Sequence, residues 1–154
     1  MSEFTTRAAI WLAMSAWTLG MVLPFQKARV AWALGLMAYL VHIALAFSAF
    51  YHGSHAIALA ETARQTMEKT GWESGAGLWV NYALALVLAI DLAWQWSGRP
   101  QRQRPWVNGF VYFMILNGAV IFGSGPVQIY GVILLVIPAM AWLARLRRST
   151  QGSS

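Results

Sequence analysis

Long apolar stretches, separated by short polar connections, run through most of this chain. A transmembrane helix needs about 20 mostly apolar residues, with roughly 17 to 25 tolerated. Five stretches meet this criterion, and the turn-forming cluster Gly123–Pro126 divides the last two within one long apolar region. The pattern predicts five transmembrane helices at about 7–24, 30–50, 77–96, 106–122 and 126–145.

Composition supports a membrane protein. The 154 residues are 58% hydrophobic and only 10% charged, whereas a soluble domain carries about 25% charged residues. Such high hydrophobicity also excludes intrinsic disorder. We therefore expect an all-α, polytopic integral membrane bundle that forms a single transmembrane domain over residues 1–154.

Basic residues alternate between the predicted connections and predict the orientation. Cytoplasmic loops of membrane proteins carry an excess of Lys and Arg. The basic connections follow the first, third and fifth helices, whereas the other two are balanced or uncharged. The N-terminus is therefore predicted outside and the C-terminus inside, in a multi-pass protein of a bacterial inner (plasma) membrane. The residues that decide this are Lys27, Arg29, Arg99, Arg102, Arg104, Arg145, Arg147 and Arg148.

The polar segment between the second and third predicted spans contains an outer amphipathic helix at about 54–70. Ser54 is a suitable N-cap, and residues 55–69 contain neither Gly nor Pro. Arg64 lies at helical ion-pair spacing from Glu61 and Glu68. The sequence leaves two alternatives open: the second helix continues outward past Gly53, or it breaks there.

A few polar residues lie within the predicted spans and define an intramembrane polar track. With a rise of about 1.5 Å per residue, they fall into an outer, a middle and an inner layer. His42 and Asn117 share the middle layer, at about 18 Å and 16 Å from the inner boundary. The track consists of His42, Asn81, Asp91, Asn117 and Gln128.

Asp91 is the one acidic residue inside a predicted span. Ionisable side chains in a membrane are costly and are candidates for function. One interpretation is a structural ion pair with Arg29 or Arg145, whose long side chains can reach inward. The other is a proton-accepting carboxylate or an anchor for a ligand.

The three histidines raise the question of a cofactor. His42 is either a neutral imidazole bonded to Asn117 or a backbone carbonyl, or a functional group that acts as a ligand to haem or a metal or as a member of a proton relay. His52 and His55 form an H-x-x-H pattern, to which Glu61 could add a carboxylate. Haem or a transition metal is thus a candidate cofactor, although a second haem ligand would have to come from another subunit.

The absence of a catalytic motif favours a function without catalysis. The chain has no Cys, no phosphate-binding loop and no nucleophile motif. The first hypothesis is a non-catalytic subunit or scaffold of a membrane complex. The alternatives are a haem- or metal-binding redox protein and a small proton-coupled transporter that uses Asp91 and His42. Expected partners are the bilayer, anionic lipid at the cytoplasmic face and other membrane subunits or a second copy, but not nucleic acid.

Overall fold

The computed structural model describes residues 3–98 and 104–151, and within these ranges the chain is helical and has no strand. The all-α prediction is confirmed for this part of the protein. A π-helix, Leu116–Ile121, directly continues α5. The α-helices are α1 (Glu3–Val22), α2 (Phe25–Ala49), α3 (His55–Thr70), α4 (Ala76–Trp96), α5 (Arg104–Ile115) and α6 (Pro126–Gln151).

Three of the helices in the described ranges are long and apolar enough to cross a membrane, not the five that the sequence predicts. They are Gln26–Ala49, Ala76–Trp96 and Pro126–Arg145. α1 begins with the polar run Glu3–Arg7, which lowers its hydropathy. α5 has only 12 residues before the backbone changes to the π form. Length and composition therefore support a membrane protein, but they do not establish all five crossings.

The long helices alternate in direction. α2 lies antiparallel to α1 and to α4, because the start of α2 lies near the ends of both neighbours. α5 and the π-helix return along α4, and α6 then packs on the π-helix and on α1. As a result, the connections that follow α1 and α4 lie at the same end of the bundle as the end of α6.

α1 and α2 are held together by two reciprocal contacts between tryptophan and glycine. The Trp17 ring lies against Gly35, and the Trp32 ring lies against Gly20. A Cβ atom at Gly20 would lie 2.6 Å from Trp32 Nε1, and one at Gly35 would lie 2.4 Å from Trp17 Nε1. Each glycine therefore provides the space that the opposite indole occupies, and both indoles are almost fully buried.

The connection between α2 and α3 settles the alternative at Gly53: the helix breaks there. His52 and Gly53 have positive φ angles of 50° and 72°, which no right-handed helix accommodates. The Ser54 side chain then accepts a hydrogen bond from the Ile57 backbone N–H at 3.3 Å and caps α3. The helix predicted at about 54–70 is thus found at His55–Thr70.

Candidate functional site: a buried ion pair at the basic end

Asp91 lies in the last turns of α4 and is only 2% exposed. Its Oδ2 atom accepts hydrogen bonds from Gln95 Nε2, at 2.6 Å, and from Arg104 Nη1. Gln95 lies one helical turn after Asp91, and Arg104 is the first residue of α5. The ion pair therefore joins α4 to α5 across the intervening linker.

Arg104 also contacts α2 through an aromatic ring. Its guanidinium carbon lies 4.1 Å from the centroid of the Trp32 ring, within the range of a cation–π interaction. Trp32 is in turn the indole that lies against Gly20 of α1. Four helices thus meet at this one arginine and its neighbours.

The two arginines that the sequence offers as partners for Asp91 have other contacts, so that expectation is corrected. The Arg29 guanidinium lies over the Trp96 ring at 5.6 Å. Arg145 donates to the carbonyl oxygen of Val22, at the end of α1. α5 begins two residues before the predicted span, so Arg104 belongs to the helix and not to the linker. Its side chain therefore lies against α4 and pairs with Asp91. Arg29, Arg104 and Arg145 together mark what we call the basic end.

A cleft of about 320 Å³ opens beside the ion pair, between α4 and α5. Its walls are apolar and aromatic apart from Asp91. Because the Asp91 carboxylate already accepts from Gln95 and Arg104, its geometry suits a structural contact better than proton transfer. The lining residues are Val87, Ile90, Asp91, Trp94, Trp106, Val107 and Phe110.

His42 is bonded to the backbone of another helix. Its Nδ1 atom lies 2.9 Å from the carbonyl oxygen of Thr6 on α1, and its ring stacks on Tyr39 at 6.4 Å. Asn117, its neighbour in the predicted middle layer, instead donates to Phe113 of its own helix at 3.0 Å. The His42 side chain thus connects α2 to α1.

The two outer members of the predicted track make different contacts, Asn81 through its backbone carbonyl and Gln128 through its side chain. The Tyr39 hydroxyl donates to the Asn81 carbonyl oxygen at 3.1 Å and so joins α2 to α4. Gln128 Nε2 donates to the Val120 carbonyl oxygen at 3.1 Å, within the π-helix. These contacts tie pairs of helices or stabilise a distorted segment, and they do not link the five residues into one continuous path.

The H-x-x-H histidines do not share a helix face. His52 lies in the turn, whereas His55 is the first residue of α3 and contacts the rings of Trp79 and Tyr82 at 5.4 and 5.9 Å. Glu61 bonds to Arg64 instead of approaching a histidine. Within residues 3–98 and 104–151, no three His, Asp or Glu side chains come together as a metal site.

The assembly of Gly20, Trp32, Arg104 and Asp91 is the part of the site that sequence reasoning missed. One signal for it was present. The pattern Ala-Trp-x-Leu-Gly occurs at residues 16–20 and again at 31–35, which places a tryptophan three residues before a glycine in each of the first two helices. Such small residues permit close helix contact in membranes.

Comparisons with known proteins add no further constraint. No protein-family model, no curated protein and no solved structure matches this chain.

Proposed function

We propose that this protein is a non-catalytic, multi-pass subunit or scaffold of a membrane complex. One observation carries the proposal: Asp91 and His42, the two ionisable side chains best placed for chemistry, each bond to a neighbouring helix. Both side chains act as structural contacts within the bundle. The outward faces of α2, α4 and α6 are apolar and remain available to lipid, to other subunits or to a second copy.

Co-purification tests this function. The full-length protein, crosslinked in its native membrane and extracted in mild detergent, should migrate as a discrete complex of fixed subunit stoichiometry on a native gel. The purified chain should be colourless and metal-free by absorption and elemental analysis. A haem absorption band or stoichiometric metal that disappears in His42→Ala or His52→Ala would contradict the scaffold and favour the redox alternative.

The cleft beside Asp91 favours one second candidate, a small proton-coupled transporter. In that case Asp91 would exchange its proton while Arg104 moves away from it. The test is flux in proteoliposomes, with the folded Asp91→Asn variant as the comparison. Proton-coupled flux that Asp91→Asn abolishes would replace the scaffold proposal, and no flux in either protein would remove the transporter.

We further propose five crossings, with the basic end in the cytoplasm of a bacterial inner membrane. α1 has 20 residues and packs along α2, and α5 with the π-helix forms one continuous helical run. Arg29, Arg104 and Arg145 lie at one end, which agrees with the excess of basic residues in cytoplasmic loops. These contacts support an arrangement in which all long helices span the bilayer.

The absence of cysteine makes this topology directly testable with single-cysteine variants and a membrane-impermeant maleimide. With five crossings, Ser74→Cys and Ser124→Cys should be labelled in intact cells, and Ser97→Cys only after permeabilisation. With crossings by α2, α4 and α6 alone, Ser124→Cys would instead be protected. Ser124 thus separates five crossings from three, and Ser74 with Ser97 reports the orientation.

A further inference from the structure

A second cleft, of about 390 Å³, lies at the basic end between α1, α5 and α6. It is separate from the cleft beside Asp91, and its volume falls within the usual range of small-molecule sites. Its walls combine a cation, an amide and several apolar or aromatic side chains. They include Met21, Asn108, Tyr112, Pro138, Trp142 and Arg145.

Arg145 gives the cleft its charge. Its side chain is exposed, and one nitrogen donates to the Val22 carbonyl oxygen at the end of α1, which fixes the guanidinium at the cleft. A guanidinium has five N–H donors in a planar arrangement that matches phosphate oxygens. The site is therefore complementary to a phosphate group.

The rest of the cleft suits the other parts of an amphiphile. Trp142 is 60% exposed and presents an apolar ring of the kind that is enriched at membrane interfaces. The Tyr112 hydroxyl is already used, because it donates to the Leu135 carbonyl oxygen near Pro138. Asn108 Oδ1, in contrast, is buried and has no hydrogen-bond partner among the described residues. Because that atom has almost no exposed surface, it is not available to a ligand in the cleft.

We propose that this cleft binds one anionic glycerophospholipid of the inner leaflet, with its phosphate on Arg145 and its upper acyl chain along Trp142. The inference rests on the proposed function in one respect: it requires the basic end to face the cytoplasmic leaflet. It adds a defined site and a lipid class to that proposal.

The test is lipid binding to the purified full-length protein by native mass spectrometry, with phosphatidylglycerol and phosphatidylcholine of identical acyl chains. We expect phosphatidylglycerol to bind about tenfold more tightly, and Arg145→Gln to remove that preference. Arg147→Gln is the matched control, since it removes the same charge two residues away without lining the cleft.

Arg145→Lys is the control for a loss of folding. It keeps the positive charge but lacks the planar N–H donors of the guanidinium. It should fold normally and show an intermediate preference. Equal binding of the two lipids, or equal loss in Arg145→Gln and Arg147→Gln, would overturn the site. Displacement of the lipid by inorganic phosphate at equal concentration would overturn the lipid assignment. Cysteine labelling reports the crossings independently, so failure here is distinguishable from failure of the membrane topology.

Discussion

Two arginines of this protein bind carboxylates in opposite environments. Arg64, on α3, bonds to Glu61 and Glu68, and all three side chains are substantially exposed. Arg104 bonds to Asp91, and these side chains are 21% and 2% exposed. The first set lies within one helix at spacings of three and four residues, whereas the second joins two helices.

The difference in burial determines what each arginine contributes. Exposed ion pairs contribute little to stability, because water solvates the separated charges almost as well and salt screens the attraction. In a buried pair, loss of one partner leaves a charge without solvent or counter-ion, at a cost of about 3–5 kcal/mol. We therefore expect substitutions near Arg104 to change the stability of the bundle and those near Arg64 to leave it almost unchanged.

The largest expected effect is that of Asp91→Ala. It leaves the Arg104 guanidinium half-buried without its carboxylate, so we expect the free energy of unfolding to fall by about 3–5 kcal/mol. Denaturant unfolding in mixed micelles, followed by circular dichroism, measures this loss. The double variant Asp91→Leu/Arg104→Met removes both charges and should recover most of the stability. If the free energy of unfolding falls no more in Asp91→Ala than in a Glu61 variant, the buried and exposed sites do not differ in their contribution to stability.

Gly20→Ala tests whether the buried site depends on the packing beneath Trp32. The added methyl group would lie 2.6 Å from Trp32 Nε1, so the ring must shift, and we expect a loss of about 1–3 kcal/mol. The control is Gly109→Ala in α5, where an added Cβ meets nothing within 4 Å. Because alanine favours helix more than glycine does, the control should be neutral or slightly stabilising. Equal effects of the two substitutions would show that the close contact at Gly20 is unimportant.

Arg104→Lys separates charge from shape at the buried site. Lysine retains a positive charge for Asp91 but lacks the planar group that stacks on Trp32, so we expect a loss of about 1 kcal/mol. The same unfolding measurement detects it. Arg29→Lys, whose guanidinium lies farther from its ring at 5.6 Å, is the comparison and should change stability less.

The smallest effect belongs to the exposed site and depends on pH. Hydrogen bonds from Arg64 and Gln65 lower the pKa of Glu61 from 4.5 to about 2. Because the pKa of Glu61 is lower in the folded state, the contribution of its ionised form to the stability of α3 is present above pH 4.5. This contribution disappears as the pH falls toward 2. Amide hydrogen exchange should therefore show weaker protection of α3 in that window, and Glu61→Gln should abolish the pH dependence. High salt should reduce the effect at α3 but not the loss caused by Asp91→Ala.

Local features of the fold were predictable because short-range chemistry determines them. The cap at Ser54 and the ion pairs of Arg64 follow from spacing along one helix. The break at Gly53 could not be decided, since glycine permits both a continued helix and a turn. The predicted five crossings exceed the three helices that are long and apolar enough, because the apolar stretches of α1 and α5 do not meet both conditions by themselves.

The partner of Asp91 could not be predicted from the sequence, because it depends on the tertiary packing of the helices. The sequence offers two arginines near the inner boundary, Arg29 and Arg145, but only the packing of α4, α5 and α2 decides which arginine reaches Asp91. The sequence places Arg104 in a linker, although it is the first residue of α5. A backbone carbonyl is among the partners expected for His42, but the sequence does not identify Thr6 as the acceptor, nor Val120 as that of Gln128, because carbonyl acceptors leave no signature in a sequence.

The paired contacts of Trp17 with Gly35 and Trp32 with Gly20 also limit how the bundle can move. Sliding α1 along α2, or rotating one about its axis, would drive both indoles into neighbouring side chains at once. These close contacts therefore resist piston and rotary motions between the two helices and favour movement of α1 and α2 together. A shift of α4 and α5 against this pair would have to break, or carry along, the contact of Arg104 with Trp32.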